Sequence, residues 1–256
     1  MSFSIAVAGK GGSGKTSLAC LVIRYLLRHN GSPVLAVDAD PNANLGESLG
    51  LEVKETVGMM LDKFQKSKID IPSGMTKEAY LEFKLNSLLI ESQGIDLISM
   101  GRGEGQDCYC YPNLILRKFI DRLHDNYSYV IMDNEAGMEH LSRGTTQDID
   151  ELLIVSNHSV KGVRTIARIK ELILELKLRV KHQSIVISFA PNKIDPLVGN
   201  ELERLKLNVD AIVPMDEQIF RFDLMGKSLL ELPDDSLSVK AIDVLMNKVL
   251  PVKIGK

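Results

Sequence analysis

The sequence predicts a single α/β domain in which a mostly parallel central sheet is flanked by helices. Two patterns in its 256 residues favour this fold class: short apolar runs typical of buried strands alternate with longer amphipathic stretches typical of helices, and no linker-like or low-complexity segment interrupts them. The composition agrees, because 45% hydrophobic and 25% charged residues are usual for a chain that buries a sizeable core. We therefore expect residues 1–256 to form one domain.

A glycine-rich loop joins the first predicted strand to the first predicted helix. Phe3 to Ala8 is an apolar run, and Thr16 to Arg28 carries apolar residues at helical spacing. The loop between them matches the pattern G-x-x-x-x-G-K-[ST], in which backbone N–H groups bind phosphate oxygens, the lysine (Lys15) reaches the β and γ phosphates and the threonine ligates Mg²⁺. The residues expected at the nucleotide are Gly9, Lys10, Gly11, Gly12, Ser13, Gly14, Lys15, Thr16 and Ser17.

Lys10 is a second lysine in this loop, at a position that the general pattern leaves free. The sequence GKGGSGKT resembles the deviant Walker A loop, GKGGxGKT, of the MinD/ParA-type ATPases, a family that includes the nitrogenase iron protein. In that family the early lysine reaches across a nucleotide-bridged homodimer to the phosphates of the partner. The resemblance therefore implies a P-loop fold of the SIMIBI class, a nucleotide-dependent homodimer, and this trans-acting role for Lys10.

Two aspartates follow the second predicted strand, Val34 to Val37. Asp38 and Asp40 stand at the carboxyl end of that strand, which is where parallel sheets bind ligands. The segment resembles the family's switch I, and this implies that Asp40 positions the attacking water while Asp38 supports the Mg²⁺ shell. A helix-capping role is the alternative for either carboxylate. The residues that we expect to form the following loop are Asn42, Asn44 and Gly46.

Another apolar run, Tyr129 to Met132, ends at Asp133, the position of a Walker B carboxylate that holds Mg²⁺. Asn134 to Gly137 then resembles the family's switch II, whose glycine lets the loop respond to the γ-phosphate. Together these parts describe phosphoryl transfer to water. The expected catalytic residues are Lys10, Lys15 and Asp40, and hydrolysis should depend on dimerisation.

The residues expected to recognise the base follow a late predicted strand, Ile185 to Phe189. The resemblance places Asn192 on the adenine edge, with Lys193 beside it, and the loop from Pro214 to Asp216 over the base. Asp195 completes an Asn-Lys-Ile-Asp run that also fits the NKxD pattern of GTPases. ATP is favoured over GTP, because Lys10 and the Asp40 switch belong to the ATPase branch.

Residues 52–94 form a charged insert before the strand-like run Ile95 to Ser99. Two helices are expected in it, near Thr56 to Phe64 and Thr76 to Leu85, either covering the sheet or docking a client enzyme. Near the end of the chain, Val239 to Val249 has one apolar face. We interpret this segment as a short docked core helix rather than as a membrane-binding tail.

Cys108 and Cys110 are separated by one tyrosine, after the strand-like run at 95–99 and before a predicted helix near Asn113. Cysteines at i and i+2 point to the same side of an extended backbone, so both sulfurs can reach one metal ion. A closed thiolate site needs four ligands, and a twofold axis would supply the other two. The alternative is a pair of reduced, unliganded thiols. Cys20, inside the first helix, is expected to be a core residue.

The cysteine pair, its glycine-rich approach and the segment Ala136 to Gly144 resemble the nickel-insertion ATPases of the CooC type, which mature carbon monoxide dehydrogenase or acetyl-CoA synthase. This implies that Cys108 and Cys110 bind Ni²⁺ or Zn²⁺ between two subunits, that ATP/ADP and Mg²⁺ are the cofactors, and that a nickel enzyme is the client. Two other readings remain. One is an iron–sulfur electron-transfer ATPase like the nitrogenase iron protein. The other is a positioning ATPase acting on DNA or membrane.

Charge and hydropathy argue against the last of these. The net charge of −3 gives no general attraction to nucleic acid, and the locally basic stretch from Lys161 to Lys181 contains diluting acidic residues. We expect no cleavable apolar leader, and the sequence contains no apolar run long enough to span a bilayer. We therefore expect a cytoplasmic protein with no nucleic-acid or membrane partner.

Overall fold

The computed structural model describes residues 2–66, 71–102, 118–135, 148–191 and 193–250. In these residues one eight-stranded sheet has the order β3-β4-β2-β5-β1-β6-β7-β8, and every neighbouring pair is parallel except β3 and β4. The predicted α/β class with a mostly parallel sheet is confirmed. The strands are β1 Phe3–Gly9, β2 Val34–Asp38, β3 Ile90–Ser92, β4 Ile95–Ser99, β5 Tyr129–Asp133, β6 Asp148–Asn157, β7 Arg179–Ala190 and β8 Ala211–Pro214.

Helices cover both faces of the sheet. Their bounds are α1 Lys15–Arg28, α2 Asn44–Leu49, α3 Val57–Lys66, α4 Lys77–Ser87, α5 Val160–Glu175, α6 Pro196–Arg204, α7 Glu217–Leu224 and α8 Leu237–Val249, with short 3₁₀ helices at His124–Asn126 and Leu229–Glu231. Residues 118–123 are also helical. A side-chain oxygen accepts a backbone N–H at the start of several helices, which explains where they begin; these capping residues are Thr76, Ser159, Asp195, Asp216 and Ser236.

The alternation of side chains along β1 divides the interior into two cores. Ile5 and Val7 belong to the core that packs against α1, α2 and α8, whereas Ala6 and Ala8 belong to the core under α3, α4 and α5. Cys20 lies fully buried in the first of these cores, as the sequence predicts. The apolar face of α8 is buried there too, which confirms the interpretation of the last segment as a docked core helix.

One expectation about local structure is wrong. Asn44 and Gly46 lie in α2 rather than in a loop, and only the turn around Asn42 is irregular. The residue before α2, Ala43, supplies no capping side chain. Instead, Asp38 Oδ2 accepts the N–H of Leu45 at 3.0 Å, so a carboxylate seven residues away satisfies the first turn of the helix.

Candidate nucleotide site

The glycine-rich loop lies at the carboxyl end of β1, in the middle of the sheet. β1 pairs with β5 on one side and with β6 on the other. Strands β2 to β5 all lie on the first side of β1, and strands β6 to β8 all lie on the second. In open parallel sheets a crevice forms at such a switch point, beyond the carboxyl ends of the strands. The predicted phosphate-binding residues therefore occupy the usual ligand position of this fold.

The glycines of the loop are required by its backbone path. A Cβ on Gly9 would overlap the carbonyl oxygen of Val155 in the neighbouring strand β6. Gly12 and Gly14 have φ of 71° and 82°, in the left-handed region that favours glycine. Gly14 is also the residue that precedes α1, and the Leu18 N–H donates to its carbonyl at 2.9 Å. The loop thus delivers the chain into a helix N-terminus, a natural site for an anion.

The two lysines of the loop have different environments. Lys15 is buried, and its Nζ donates to the carbonyl oxygen of Lys10 at 3.3 Å. The same carbonyl accepts the N–H of Ser13 at 3.2 Å, which closes the turn. The side chain of Lys10 is exposed. One lysine is therefore held inside the loop, while the other extends from it into solvent.

Two buried carboxylates lie behind the loop, on the adjacent strands β2 and β5. Asp38 and Asp133 face each other in the strand register, and the Thr16 hydroxyl donates to Asp133 Oδ2 at 2.6 Å. Burial, followed by the charge of Asp133, raises the pKa of Asp38 to about 7, although Asp38 accepts backbone N–H groups from Leu45 and Asp40. Burial likewise raises the pKa of Asp133 to about 6, against the opposing effects of Thr16 and Lys15. The positive charge of Lys15 therefore offsets only part of the cost of ionising these two buried carboxylates.

These residues fit Mg²⁺. Among the described residues, Asp133 Oδ1 is buried without a hydrogen-bond partner, and the hydroxyl that contacts its other oxygen belongs to Thr16. Mg²⁺ prefers oxygen ligands and takes only one or two from the protein, with phosphate and water supplying the others. Its charge would also lower the pKa values that burial raises at Asp38 and Asp133.

Asp40 lies half-exposed on the loop after β2. Its Oδ1 accepts the backbone N–H and the side-chain N–H of Asn42, both at 2.8 Å, and its carbonyl accepts the N–H of Ala43 at 3.0 Å. The carboxylate therefore stabilises a tight turn beside the crevice. It does not cap a helix through its side chain in this arrangement.

A cavity of about 350 Å³ opens beside the start of α1. Its wall includes Thr16 and Ser17, part of α2, Phe189 at the end of β7, and the outer helix α7 with Phe220. The volume falls in the range of small-ligand pockets. The sequence does not predict that Phe189 or α7 would line a ligand cavity. An aromatic residue at the end of an apolar strand and an amphipathic helix are both ordinary features of a protein core.

The residues predicted to recognise the base are only partly assembled in the described structure. Pro214 ends β8 and lines a smaller cavity of about 20 Å³ together with Gly14 and Ser17. Lys193 is exposed. Asn192 lies outside the described residues. Asp195 Oδ1 accepts the N–H of Leu197 at 2.8 Å and caps α6, which accounts for an aspartate at that position without a guanine base.

Cys108 and Cys110 also lie outside the described residues, as do Asn113 and the segment from Ala136 to Gly144. Within the residues that the structure does describe, no group of three or more His, Cys, Asp or Glu side chains is arranged to hold a metal ion. None of the helices in that part of the chain is long and apolar enough to cross a membrane. Asn134, the first residue of the predicted switch II segment, is buried and donates through Nδ2 to the Val7 carbonyl at 3.0 Å.

Comparison with known proteins assigns the chain to a family. Residues 3–186 match the AAA domain family. The chain belongs to that family. It is 40% identical to an uncharacterized ATP-binding protein of Methanocaldococcus jannaschii, over 97% of its own length and 99% of that protein. It is 29% identical to the carbon monoxide dehydrogenase accessory protein CooC of Rhodospirillum rubrum, over 89% of each chain.

Solved structures of other ATPases share this fold. A ParA family ATPase from Chlorobium tepidum superposes with a TM-score of 0.72 at 20% identity, covering 94% of this chain and 96% of that one. The septum site-determining protein MinD of Pyrococcus horikoshii, complexed with Mg-ADP, gives 0.68 at 19% identity, covering 98% and 97%. The chain therefore has a MinD/ParA-like fold. Its membership of the AAA domain family and its identity to an ATP-binding protein identify it as a P-loop ATPase.

Proposed function

We propose that this ATPase is a nickel metallochaperone that acts as a nucleotide-dependent homodimer and delivers the metal to carbon monoxide dehydrogenase or acetyl-CoA synthase. The observation that carries the proposal is the Cys108-Tyr109-Cys110 segment, in a chain that is similar to the CooC accessory protein along most of its length. Two thiolates per chain become four per dimer, which completes a tetrahedral site. Nickel, or zinc in its place, is the cargo of this site.

The phosphate loop would bind the triphosphate of ATP. In this proposal the N–H groups from Gly9 to Thr16 bind phosphate oxygens, and Lys15 turns from the Lys10 carbonyl to the β and γ phosphates. Thr16 and Asp133 would hold Mg²⁺, whose charge offsets that of the β- and γ-phosphate oxygens. The nucleoside would extend past Ser17 into the cavity that α7 covers.

Hydrolysis would use the exposed groups at the crevice. Asp40, which is half-exposed at the crevice, would orient the attacking water. Asp38, which is buried, would support the water shell of Mg²⁺. Lys10 of the partner subunit would approach the γ-phosphate and stabilise the charge that develops during transfer. Because the dimer that places this lysine also brings the cysteine pairs together, phosphate chemistry and the metal site would be coupled.

The test is a metal titration combined with analytical sedimentation, on the wild type and on a variant carrying Cys108→Ala and Cys110→Ala, each with and without Mg-ATP. We expect about one Ni²⁺ per dimer in the wild type and loss of that ion in the double variant. Cys20→Ala is the matched control, because it removes a buried core thiol and leaves the pair intact. Unchanged metal binding in the double variant would contradict the proposal, and so would a wild type that stays monomeric under every condition.

A positioning ATPase is the second candidate, and the fold shared with MinD and ParA favours it. This function predicts salt-sensitive binding to DNA or binding to anionic vesicles when Mg-ATP is present. Co-sedimentation of the wild type with each of these surfaces separates the candidates. Surface binding without a stoichiometric metal would support the positioning function, whereas metal binding without surface binding would support the metallochaperone.

A further inference from the structure

The end of β7 contains an irregularity that turns one aromatic residue out of the sheet. Ile187 pairs with Ile212 of β8, and Ala190 pairs with Pro214, so three steps along β7 match two steps along β8. The extra residue in β7 produces a β-bulge. Bulges are frequent beside functional sites because they redirect a side chain. Phe189 lies within this bulge and has a φ of 51°, in the left-handed region. A bulky side chain rarely adopts this conformation without a structural or functional reason.

The redirected ring lies against the phosphate loop. A Cβ on Gly14 would lie 2.9 Å from Cζ of Phe189, so the ring covers the glycine that precedes α1. The preceding residue, Ser188, makes a second contact with the loop, because its hydroxyl donates to the Ser13 carbonyl at 2.5 Å. The two bulge residues therefore bind the loop from the side of β7.

The ring is not a core residue. Phe189 is half-buried and belongs to none of the three hydrophobic clusters that the described residues form. It lines both cavities at the start of α1, the larger one with Ser17 and Phe220 and the smaller one with Pro214. Part of its apolar surface consequently faces the space that lies next to the phosphate loop.

We infer that Phe189 is a nucleoside-binding residue whose ring contacts the base or ribose of ATP in the larger cavity. This inference rests on the proposed placement of the triphosphate on the loop. A phosphate chain that ends at Gly14 to Ser17 would place its nucleoside near this ring, since the ring covers Gly14 and lines the same cavity as Ser17. Aromatic rings bind bases by stacking, which is tolerant of base identity. Phe189 would thus add affinity for the nucleoside without choosing adenine over guanine.

The experiment compares Mg-ATP with Mg-tripolyphosphate, which has a phosphate chain and no nucleoside, by calorimetric titration of the full chain. Phe189→Leu keeps an apolar side chain and removes the aromatic face. We expect it to weaken Mg-ATP binding about tenfold, as the loss of one base–aromatic contact predicts, and to leave tripolyphosphate binding unchanged. Phe189→Tyr restores an aromatic ring and should recover the affinity for Mg-ATP. Phe83→Leu, at an exposed phenylalanine on α4, is the matched control.

Binding of tripolyphosphate also reports that the loop of each variant is folded. Equal loss of both ligands in Phe189→Leu would overturn the inference, because the ring would then act only on the phosphate loop. Unchanged Mg-ATP binding in that variant would also overturn the inference about Phe189, but it would leave the proposed ATP site standing. A wild type that binds neither ligand would instead overturn the proposed ATP site, and a failure of metal binding at Cys108 and Cys110 would leave the role of Phe189 in place.

Discussion

Lys10 and Lys15 lie in the same short loop, but their side chains differ in exposure and therefore in what they can contact. The backbone carbonyl of Lys10 accepts hydrogen bonds from Lys15 Nζ and from the Ser13 N–H, whereas its side chain extends into solvent. Removing that side chain leaves the carbonyl, and hence the closure of the loop, in place. The side chain of Lys10 is therefore free to act on a group outside its own loop.

Lys10→Ala should lower kcat for ATP hydrolysis by about a thousandfold, the contribution of a cation supplied by a partner in comparable nucleotide hydrolases. Its affinity for Mg-ATP should stay close to that of the wild type, because the loop that holds the phosphates is intact. Steady-state ATPase assays and nucleotide titration measure the two effects separately.

Lys15→Ala is the contrasting variant, and its affinity for Mg-ATP should fall because the group that reaches the phosphates is lost. A Lys10→Ala protein with full ATPase activity would exclude the trans-acting role. A Lys10→Ala protein that no longer bound nucleotide would place Lys10 in its own site instead.

The close approach of β1 to β6 sets the position of the phosphate loop. Gly9 pairs with Val155, and no side chain fits between the two strands at that point. Gly9→Ala should therefore destabilise the nucleotide-free protein by about 3 kcal/mol, since strand backbones would have to separate. Urea unfolding at equilibrium measures this change.

Gly12→Ala is the control within the same loop. Its Cβ would meet no atom within 4 Å, and only the left-handed φ of 71° opposes it. That conformation costs about 1–2 kcal/mol for a non-glycine residue. If both variants lost the same stability, close approach of the strands would not explain Gly9.

Helices α5 and α6 are joined by a carboxylate between two arginines. Glu201 accepts from Arg164 Nε at 2.7 Å and from Arg204 Nε and Nη2 at 2.9 and 2.7 Å. Hydrogen bonds from Arg204 and then Arg164 lower the pKa of Glu201 from 4.5 to about 2. A lowered folded-state pKa gives stability that is present above 4.5 and is lost as the pH falls toward 2.

Glu201→Gln should consequently reduce the free energy of unfolding most above pH 4.5, with the difference from wild type shrinking toward pH 2. Urea unfolding across this range gives the dependence. Glu171→Gln, which removes an exposed partner of Arg168 on α5, is the matched control. A constant difference at every pH would indicate that packing, and not ionisation, explains the effect of Glu201.

The central strands could be predicted from the sequence because nearly all of their residues are buried and therefore mostly apolar. The runs at Phe3–Gly9, Val34–Asp38 and Tyr129–Asp133 are almost fully buried, so apolar composition alone marks them. β7 begins at Arg179, six residues before the predicted strand, because its first half is polar and exposed. The helix at Asn44 depends on a hydrogen bond to Asp38, which local residue preferences do not encode.

The candidate site also has parts that the sequence predicts and parts that it does not. The phosphate loop is continuous in the chain, so its pattern identifies it. Phe189 joins the site only through a bulge, and the bulge depends on how β7 pairs with β8. Asn192, Cys108 and Cys110 fall outside the described residues, and their roles remain predictions from family resemblance.

One buried arginine connects the first helix to the last third of the chain. Arg24 of α1 is 3% exposed, and its Nε and Nη2 donate to the Leu232 carbonyl at 3.1 and 2.7 Å. Nη2 also contacts Asp234. The segment that leads into α8 is thereby fixed on the helix that begins at the phosphate loop.

Arg24→Ala should lower the free energy of unfolding by about 2–3 kcal/mol, because the Leu232 carbonyl would stay buried without its donors. Arg28→Ala, four residues later on the same helix and exposed, should change it by less than about 0.5 kcal/mol. Urea unfolding of the two variants gives the comparison. Equal effects would mean that Arg24 adds only helix propensity and charge.

The two borders of the sheet limit how this chain meets a second one. On one side, β3 is a three-residue antiparallel strand, and on the other, β8 has four residues and ends in Pro214, which has no N–H to donate. Short borders and proline discourage the addition of a foreign strand, the usual start of uncontrolled aggregation. Pairing of this sheet with a strand of another chain is therefore discouraged at both borders, which leaves helices and loops as the surfaces for any association.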